Sequence, residues 1–541
     1  MSSVPHKTNE NKASDGGLDS VEMVETVEQG PKPVENPWAI IRSHPKLVCY
    51  AVIANVGPLM FGYDLVVVGA ISALPAFRRD FGEAVGPGAM VLPALWLGLW
   101  NGFVQAGTAA GSFFAGWFQD RFGRRSAFAL GGIFGLIGTT VSYTSSMVVE
   151  MEARRGVFLL AKMLIGFGCG ILMSACQTYI SETAPRNLRG VLLGFYAFNV
   201  SFGHLLAMAV VFDQIHNMSW DAYRIPFATQ WAFGAIAVIA ALILPESPVW
   251  LVSKKSADKA MKSLERLGTN KDHSMLERIQ VTLAAENTDP SHHEGAPTFS
   301  ECFKGTNLRR TLVIIWLNIL QQFVGISLVS NGAYFLIMAG MSAQYSLMVN
   351  LIGIASNMVA NMISWYTVPR FGRRTMILFS IILDIGAWLA MGVAGCFSTT
   401  AAQWFVGVSL LLFGFFNSFG VSSAVPVITS EISCVRLRSK SAGIGLGAQS
   451  VAFWIFSFFT PYLYNTDEAN WGGKIGFFFA GLSAFAYVVT WWVVPETKGR
   501  NFIDLDFLFA EKVKARAFSK TAVPQPDAAD YSQKPSMKED F

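Results

Sequence analysis

The chain has 541 residues, of which 52% are hydrophobic and 14% charged, against about a quarter charged in soluble globular domains. That composition excludes a soluble globular protein, and a net charge of +4 is too small to argue for nucleic acid as a partner. Apolar runs of about 20 residues, enough to cross a bilayer as helices, recur along the chain and define a polytopic helical membrane protein.

Residues 1–46 are polar and rich in Glu, Lys, Ser and Pro, without the apolar stretch of a cleavable signal peptide, and read as a disordered cytosolic tail. Spans are predicted near 48–75, 95–118, 126–146, 156–178, 190–212, 227–245, 311–338, 344–367, 375–396, 403–428, 440–463 and 475–494, twelve in all. This gives an N-terminal six-helix bundle over 47–251, a cytosolic linker over 252–309, a C-terminal bundle over 310–498 and a cytosolic tail over 499–541. In the linker, Ala260, Leu264 and Leu267 recur at helical spacing within Ser256 to Leu267. Six cysteines show no paired spacing, so a disulfide framework or metal site is not expected.

Positive charge in the short loops sets the orientation. Loops after even-numbered spans hold Arg121, Arg124, Arg125, Arg186, Arg189, Arg370, Arg373, Arg374, Arg436, Arg438 and Lys440, whereas the opposite loops hold Arg78, Arg79, Arg154, Arg155, Arg224 and Lys474. Both termini are therefore expected in the cytosol, and the sequon Asn217-Met218-Ser219 falls outside, where Asn217 is a candidate glycosylation site.

The chain repeats itself. Arg121 to Arg125 reads R-F-G-R-R and returns as Arg370 to Arg374, 249 residues on. Ser181-Glu182 returns as Ser430-Glu431 and Arg189 as Arg438 at the same offset, while Pro245-Glu246-Ser247 returns as Pro495-Glu496-Thr497 at 250. Each match follows the second, fourth or sixth helix of its half, so the chain is two parallel six-helix repeats, the architecture of the major facilitator transporters.

The repeated motifs are charged and sit at the cytosolic helix ends. Asp120, Glu182, Glu246, Glu431 and Glu496 alternate with Arg121, Arg125, Arg189 and Arg438, and directional Arg–carboxylate pairs between them form a candidate gate that latches the two halves. The alternative is that these charges only mark the membrane interface.

Charge inside a bilayer costs about 2.5–3.5 kcal/mol per residue on insertion scales, so each buried charge is a site candidate. Asp64 in the first span and Lys162 in the fourth both fall in the outer half of the membrane, where they could meet. They form either a proton-coupling pair or a static ion pair. Asp384 in the ninth span has no evident partner, and His204 is a satisfied core residue or a proton relay, counted with the substrate-binding candidates. Gln321, Gln322, Ser327, Asn331, Asn357 and Gln449 supply neutral donors and acceptors suited to a polyhydroxylated solute, unless they bond neighbouring helices instead.

The set Phe61-Gly62-Tyr63-Asp64, Gly116 with Asp120 to Arg125, Tyr179-Ile180-Ser181-Glu182, Pro245-Glu246-Ser247-Pro248, Gln321-Gln322-Phe323-Val324-Gly325 and Pro495-Glu496-Thr497-Lys498-Gly499-Arg500 resembles the sugar porter family of the major facilitator superfamily. Finer features resemble its fungal maltose and α-glucoside permease branch: Cys302 to Asn307, Ser364-Trp365, Ser430 to Ser433 with Arg436 to Lys440, and Asn470 to Lys474 before Gly476-Phe477-Phe478. The resemblance implies that Asp64 takes the coupling proton and that Gln321, Gln322, Asn357 and Gln449 contact sugar. The chain departs from the family pattern with Lys162 for Arg, Gln177 for Pro, Ala197 for a sugar-binding Gln, Ser327 for Asn, Pro426 for an aromatic, Pro369 for Asp and Val249 for Arg. The cytosolic frame is kept while the cavity is changed.

The expected protein is an all-α, twelve-helix secondary active transporter of the cell membrane, a monomer without cofactors. Its partners are the bilayer, a proton and a neutral solute, a sugar or polyol imported by alternating access. The competing readings are the same scaffold moving another organic solute, such as a specialised metabolite or cyclic acid, and a non-transporting sugar receptor. No nucleophile with its base and no phosphate-binding loop suggests an enzyme.

Overall fold

The computed structural model describes residues 42, 44–72, 74–84, 90–214, 217–268, 275–277, 279–281, 298–330, 332–339, 341, 343–434, 436–464, 469, 471–500 and 502–521. The first span is two helices, α1 (Pro45–Ala54) and α2 (Val56–Ile71). They meet at Asn55, whose side-chain amide donates over 2.7 Å to the Ala51 carbonyl, which also accepts the Asn55 backbone N–H over 3.2 Å. The short α3 (Pro75–Phe81) leads to α4 (Ala94–Phe122), α5 (Arg124–Ser145), α6 (Met151–Thr183), α7 (Arg186–Asp213) and α8 (Asp221–Ile243), which complete the first bundle.

After the sixth span come α9 (Pro248–Ser253), which runs into the linker, and α10 (Ala257–Leu267), which buries Ala260, Leu264 and Leu267 as the spacing predicts. The seventh span differs from the single helix expected. It is α11 (Gly305–Phe323), α12 (Ile326–Ser330) and α13 (Gly332–Met338). The first break falls at Gly325, whose φ of +102° suits only glycine and whose added Cβ would lie 2.7 Å from the Trp388 ring. The Val324 carbonyl at this break accepts the Trp388 indole N–H over 2.7 Å, so the interruption leaves that polar atom satisfied.

The remaining spans are α14 (Ala343–Phe371), α15 (Arg373–Ala394), the broken pair α16 (Thr400–Phe419) and α17 (Val421–Ile432), α18 (Arg438–Tyr464) and α19 (Ile475–Val493). Among the described residues, ten helical segments are long and apolar enough to cross a membrane. The other two spans are α4, which carries Asn101, Gln105, Thr108, Ser112 and Gln119, and the interrupted seventh. Twelve spans result.

Packing repeats with the sequence. In the first half α2 packs along α7, α4 and α5 along α6, and α8 along α5; in the second half α11 packs along α18, α14 and α15 along α16, and α19 along α15. The halves meet through α4 against α18 and α7 against α14. Glycines make the α4–α6 seam close: Gly107 and Gly111 face the α6 backbone at Met163 and Phe167, and Gly166 and Gly170 face the α4 backbone at Val104 and Thr108.

The segment expected as a tail over 499–541 is ordered in its first part. Residues through Thr521 fold, with α20 (Phe502–Ala510) packed beneath α11 and α17. Phe502 and Phe509 supply ring faces for arginines of the bundles, so the segment is held by specific contacts. Residues 522–541 lie outside the described ones.

Candidate functional site

The R-F-G-R-R turns join α4 to α5 and α14 to α15 through Gly123 (φ +91°) and Gly372 (φ +101°). Each turn directs the next two N–H groups, the start of a helix, at a carboxylate. Glu246 accepts from Arg124 N over 2.9 Å and Arg125 N over 3.3 Å. Glu496 accepts from Arg373 N over 3.0 Å and Arg374 N over 3.1 Å. A side chain at Gly123 or Gly372 would strike these carboxylates. Burial lifts the Glu246 carboxyl above its ordinary range, while the N–H groups of Ser247 and Arg124 and the Arg124 charge pull it back.

The arginines are not those expected. Arg124 grips Glu182 with two hydrogen bonds of 2.9 and 2.7 Å, and Ser247 Oγ donates to the same carboxylate over 2.5 Å. In the second half Arg373 bonds Glu431 over 3.0 Å and Thr497 Oγ1 donates to it over 2.5 Å. Arg125 instead donates to the Ala241 and Leu242 carbonyls at the end of α8. Arg121 is exposed and lies over the Trp117 and Phe122 rings. Each of these pairs stays inside one bundle, so Arg124 with Glu182 and Arg373 with Glu431 brace their own halves rather than latch the two together. Repetition carried the missed signal, since Arg124 to Glu182 and Arg373 to Glu431 both span 58 residues.

The crossing contacts use other residues. Asp120 on α4 accepts from Lys440 and, over 2.5 Å, from Ser439 Oγ, both on α18. Arg189 and Arg438, equivalent positions of the two repeats, place their guanidiniums 4.6 and 4.7 Å from the centre of the Phe502 ring. The first residue of α20, beyond the last span, thus contacts both bundles. Farther along the seam, Trp365 of α14 stacks on Phe195 of α7 at 4.3 Å and fills the notch at Gly194. Asn361 donates to Ser201 over 3.2 Å.

Within the membrane-spanning region the expected meeting of Asp64 and Lys162 is present. Lys162 Nζ donates to Asp64 Oδ1 over 2.6 Å, with the two side chains 0% and 1% exposed. Gln230 on α8, a residue the sequence reading passed over, donates to the same oxygen over 3.2 Å. Asp384 is fully buried in the second bundle beside Ser380, outside the cavity wall, and the structure gives no account of its charge.

Between the bundles lies a cavity offering about 170 Å³ to the centres of water molecules. Gln321, Gln322, Asn357, Gln449 and His204 line it, as do Asn318, Asn361 and Gln177. Gln449 donates to Gln321 over 3.1 Å. Both polar atoms of Gln322, Asn357 Oδ1 and His204 Nε2 are buried without a hydrogen-bond partner among the described residues. Ser327 is corrected: it is fully buried beside Thr460 at 3.4 Å and does not line the cavity. Asn331 lies outside the described residues. Ala197 and Pro426 line the wall without a side-chain polar group. Asn217 is half-buried in the loop after α7, its side-chain oxygen accepting from Ser219 N over 2.9 Å.

Two pseudo-symmetric six-helix bundles around a central cavity define a membrane transporter of the major facilitator fold. The chain belongs to the sugar (and other) transporter family, which it matches over residues 50–509. It is 32% identical to the MFS transporter fmqE of Aspergillus fumigatus, over 89% of this chain and 90% of that one. It is 29% identical to the general alpha-glucoside permease of Saccharomyces cerevisiae, over 89% and 78%, and 28% identical to maltose permease MAL61, over 89% and 79%. The fold is that of the proton:xylose symporter XylE bound to 6-bromo-6-deoxy-D-glucose, with a TM-score of 0.75, 22% identity and coverage of 86% and 99%. The inward-open form of XylE from E. coli superposes at 0.64, with 22% identity and coverage of 85% and 99%.

Proposed function

We propose that the protein imports a neutral polyhydroxylated solute, a sugar or α-glucoside-like molecule, together with a proton across the cell membrane, with both termini in the cytosol. The observation that carries this reading is a cavity ringed by uncharged amides beside a buried Asp64–Lys162 pair. Gln321, Gln322, Asn357 and Gln449 are the proposed hydroxyl contacts, each able to donate and accept. Asp64 is the proposed proton carrier: protonation removes the charge that Lys162 holds, and so changes the balance between bundle arrangements. The match to α-glucoside and maltose permeases supports the solute class. The contacts of Asp120, Arg189 and Arg438 support a gate at the linker end.

A second reading, the same machine moving another organic solute, is favoured by Ala197 and Pro426, which give the wall apolar surface at two positions. One experiment separates the two. Purified protein in liposomes is given labelled sugars, polyols and ring-bearing organic solutes, with and without an imposed pH gradient. Accumulation of a sugar that follows the gradient supports the first reading. Gradient-driven accumulation of a non-sugar alone establishes the second, and indifference to the gradient overturns proton coupling.

A further inference from the structure

Asp64 has two carboxylate oxygens in different surroundings. Oδ1 receives both Lys162 and Gln230, while Oδ2 is buried without a hydrogen-bond partner among the described residues. Beside Asp64 lies a second, smaller chamber, walled by Asn101 and Gln105 of α4 on one side and by Ser330 of α12 and Ser457 of α18 on the other. Ser457 Oγ is also buried and unpartnered. The chamber offers about 20 Å³ to a water centre, and about 10–15 Å³ with two to four polar partners suffices for one water. Gln105, Ser330 and Phe453 line the central cavity as well, so the chamber adjoins it.

We propose that this chamber seats one water that passes the coupling proton between the central cavity and Asp64 Oδ2, with Ser457 as its positioning residue. The inference rests on Asp64 being the proton carrier. In the transfer, an O–H bond of the seated water breaks as the Oδ2–H bond forms, and a proton from water in the central cavity restores the seated molecule. The net change is one proton moved onto the carboxylate, with Lys162 remaining an ammonium. Because one wall belongs to the first bundle and the other to the second, rocking separates Ser457 from Asp64 and dismantles the relay. Proton access is thereby tied to the arrangement of the bundles.

The titratable groups around Asp64 are Lys162 and Cys169 on α6 and Tyr63 on its own helix. From α7, His204 lines the central cavity, and α8 contributes the neutral Gln230. The residues named from α4, α12 and α18 do not titrate, so they shape a path without adding a competing proton site.

A test independent of solute identity is infrared spectroscopy of the full chain in liposomes after a pH jump, following the carboxyl band that disappears in Asp64→Asn. Removing the Ser457 hydroxyl in Ser457→Val should slow protonation by on the order of 10²-fold and be relieved in Ser457→Thr, which is isosteric with Val and keeps the hydroxyl. Asn101→Leu fills the chamber from the other wall and should act alike, which covers a Ser457→Val protein that fails to fold. Parent-like rates in folded Ser457→Val and Asn101→Leu overturn the relay alone. A parent whose Asp64 band ignores the jump overturns the symport reading, and the relay with it.

Discussion

Lys162 donates to Asp64 Oδ1 over 2.6 Å with both side chains buried, so each charge is stabilised by the other. Removing one partner of such a pair costs about 3–5 kcal/mol. Lys162→Ala should therefore lower the thermal unfolding midpoint markedly, and adding Asp64→Asn should recover much of the loss. A double variant no more stable than Lys162→Ala would show that the pair is not coupled.

For transport, Asp64→Asn should abolish accumulation driven by a pH gradient while exchange of solute across the membrane persists. Asn keeps the shape of Asp but cannot take a proton. Lys162→Arg should keep coupling, since it retains the charge opposite Asp64. An Asp64→Asn protein that still concentrates solute in liposomes refutes the assignment.

The three arginines of the first turn separate by consequence. Arg124→Ala leaves Glu182 buried with only Ser247 for company and should cost about 3–5 kcal/mol in thermal stability. Arg125→Ala removes two carbonyl contacts and should cost less, and Arg121→Ala should leave the midpoint unchanged. Equal losses at all three would contradict the bracing role given to Arg124.

Gln321→Ala and Gln322→Ala should each weaken solute binding by about 1–3 kcal/mol, or roughly 5- to 150-fold. Ser327→Ala, which faces Thr460, should bind as the parent does. Isothermal titration with the best solute from the panel measures all three, and parent-like binding by both glutamine variants removes the cavity assignment.

Phe502→Ala removes one ring from two guanidiniums. At about 0.5–1 kcal/mol for each contact, the closed arrangement of the linker end should lose roughly 5- to 30-fold in population. Distances between fluorophores on the ends of α4 and α18 report the change. An unaltered distance distribution would make Phe502 a packing residue only.

The sequence by itself determined the membrane class, the spans to within a few residues and the duplicated plan, because hydropathy over 20 residues and a fixed 249-residue offset are properties of the chain alone. It also brought Asp64 and Lys162 together, since charge at matched depth has few other partners. Only the tertiary structure decided which arginine meets Glu182, because that depends on the rotation of α5 after the Gly123 turn. It likewise decided that the seventh span breaks at Gly325 against Trp388, that Ser327 turns toward Thr460, and that Phe502 lies between Arg189 and Arg438. Periodicity fixes which residues share a face of one helix, whereas the azimuth of that face, and contacts between residues hundreds of positions apart, are set by how the helices pack.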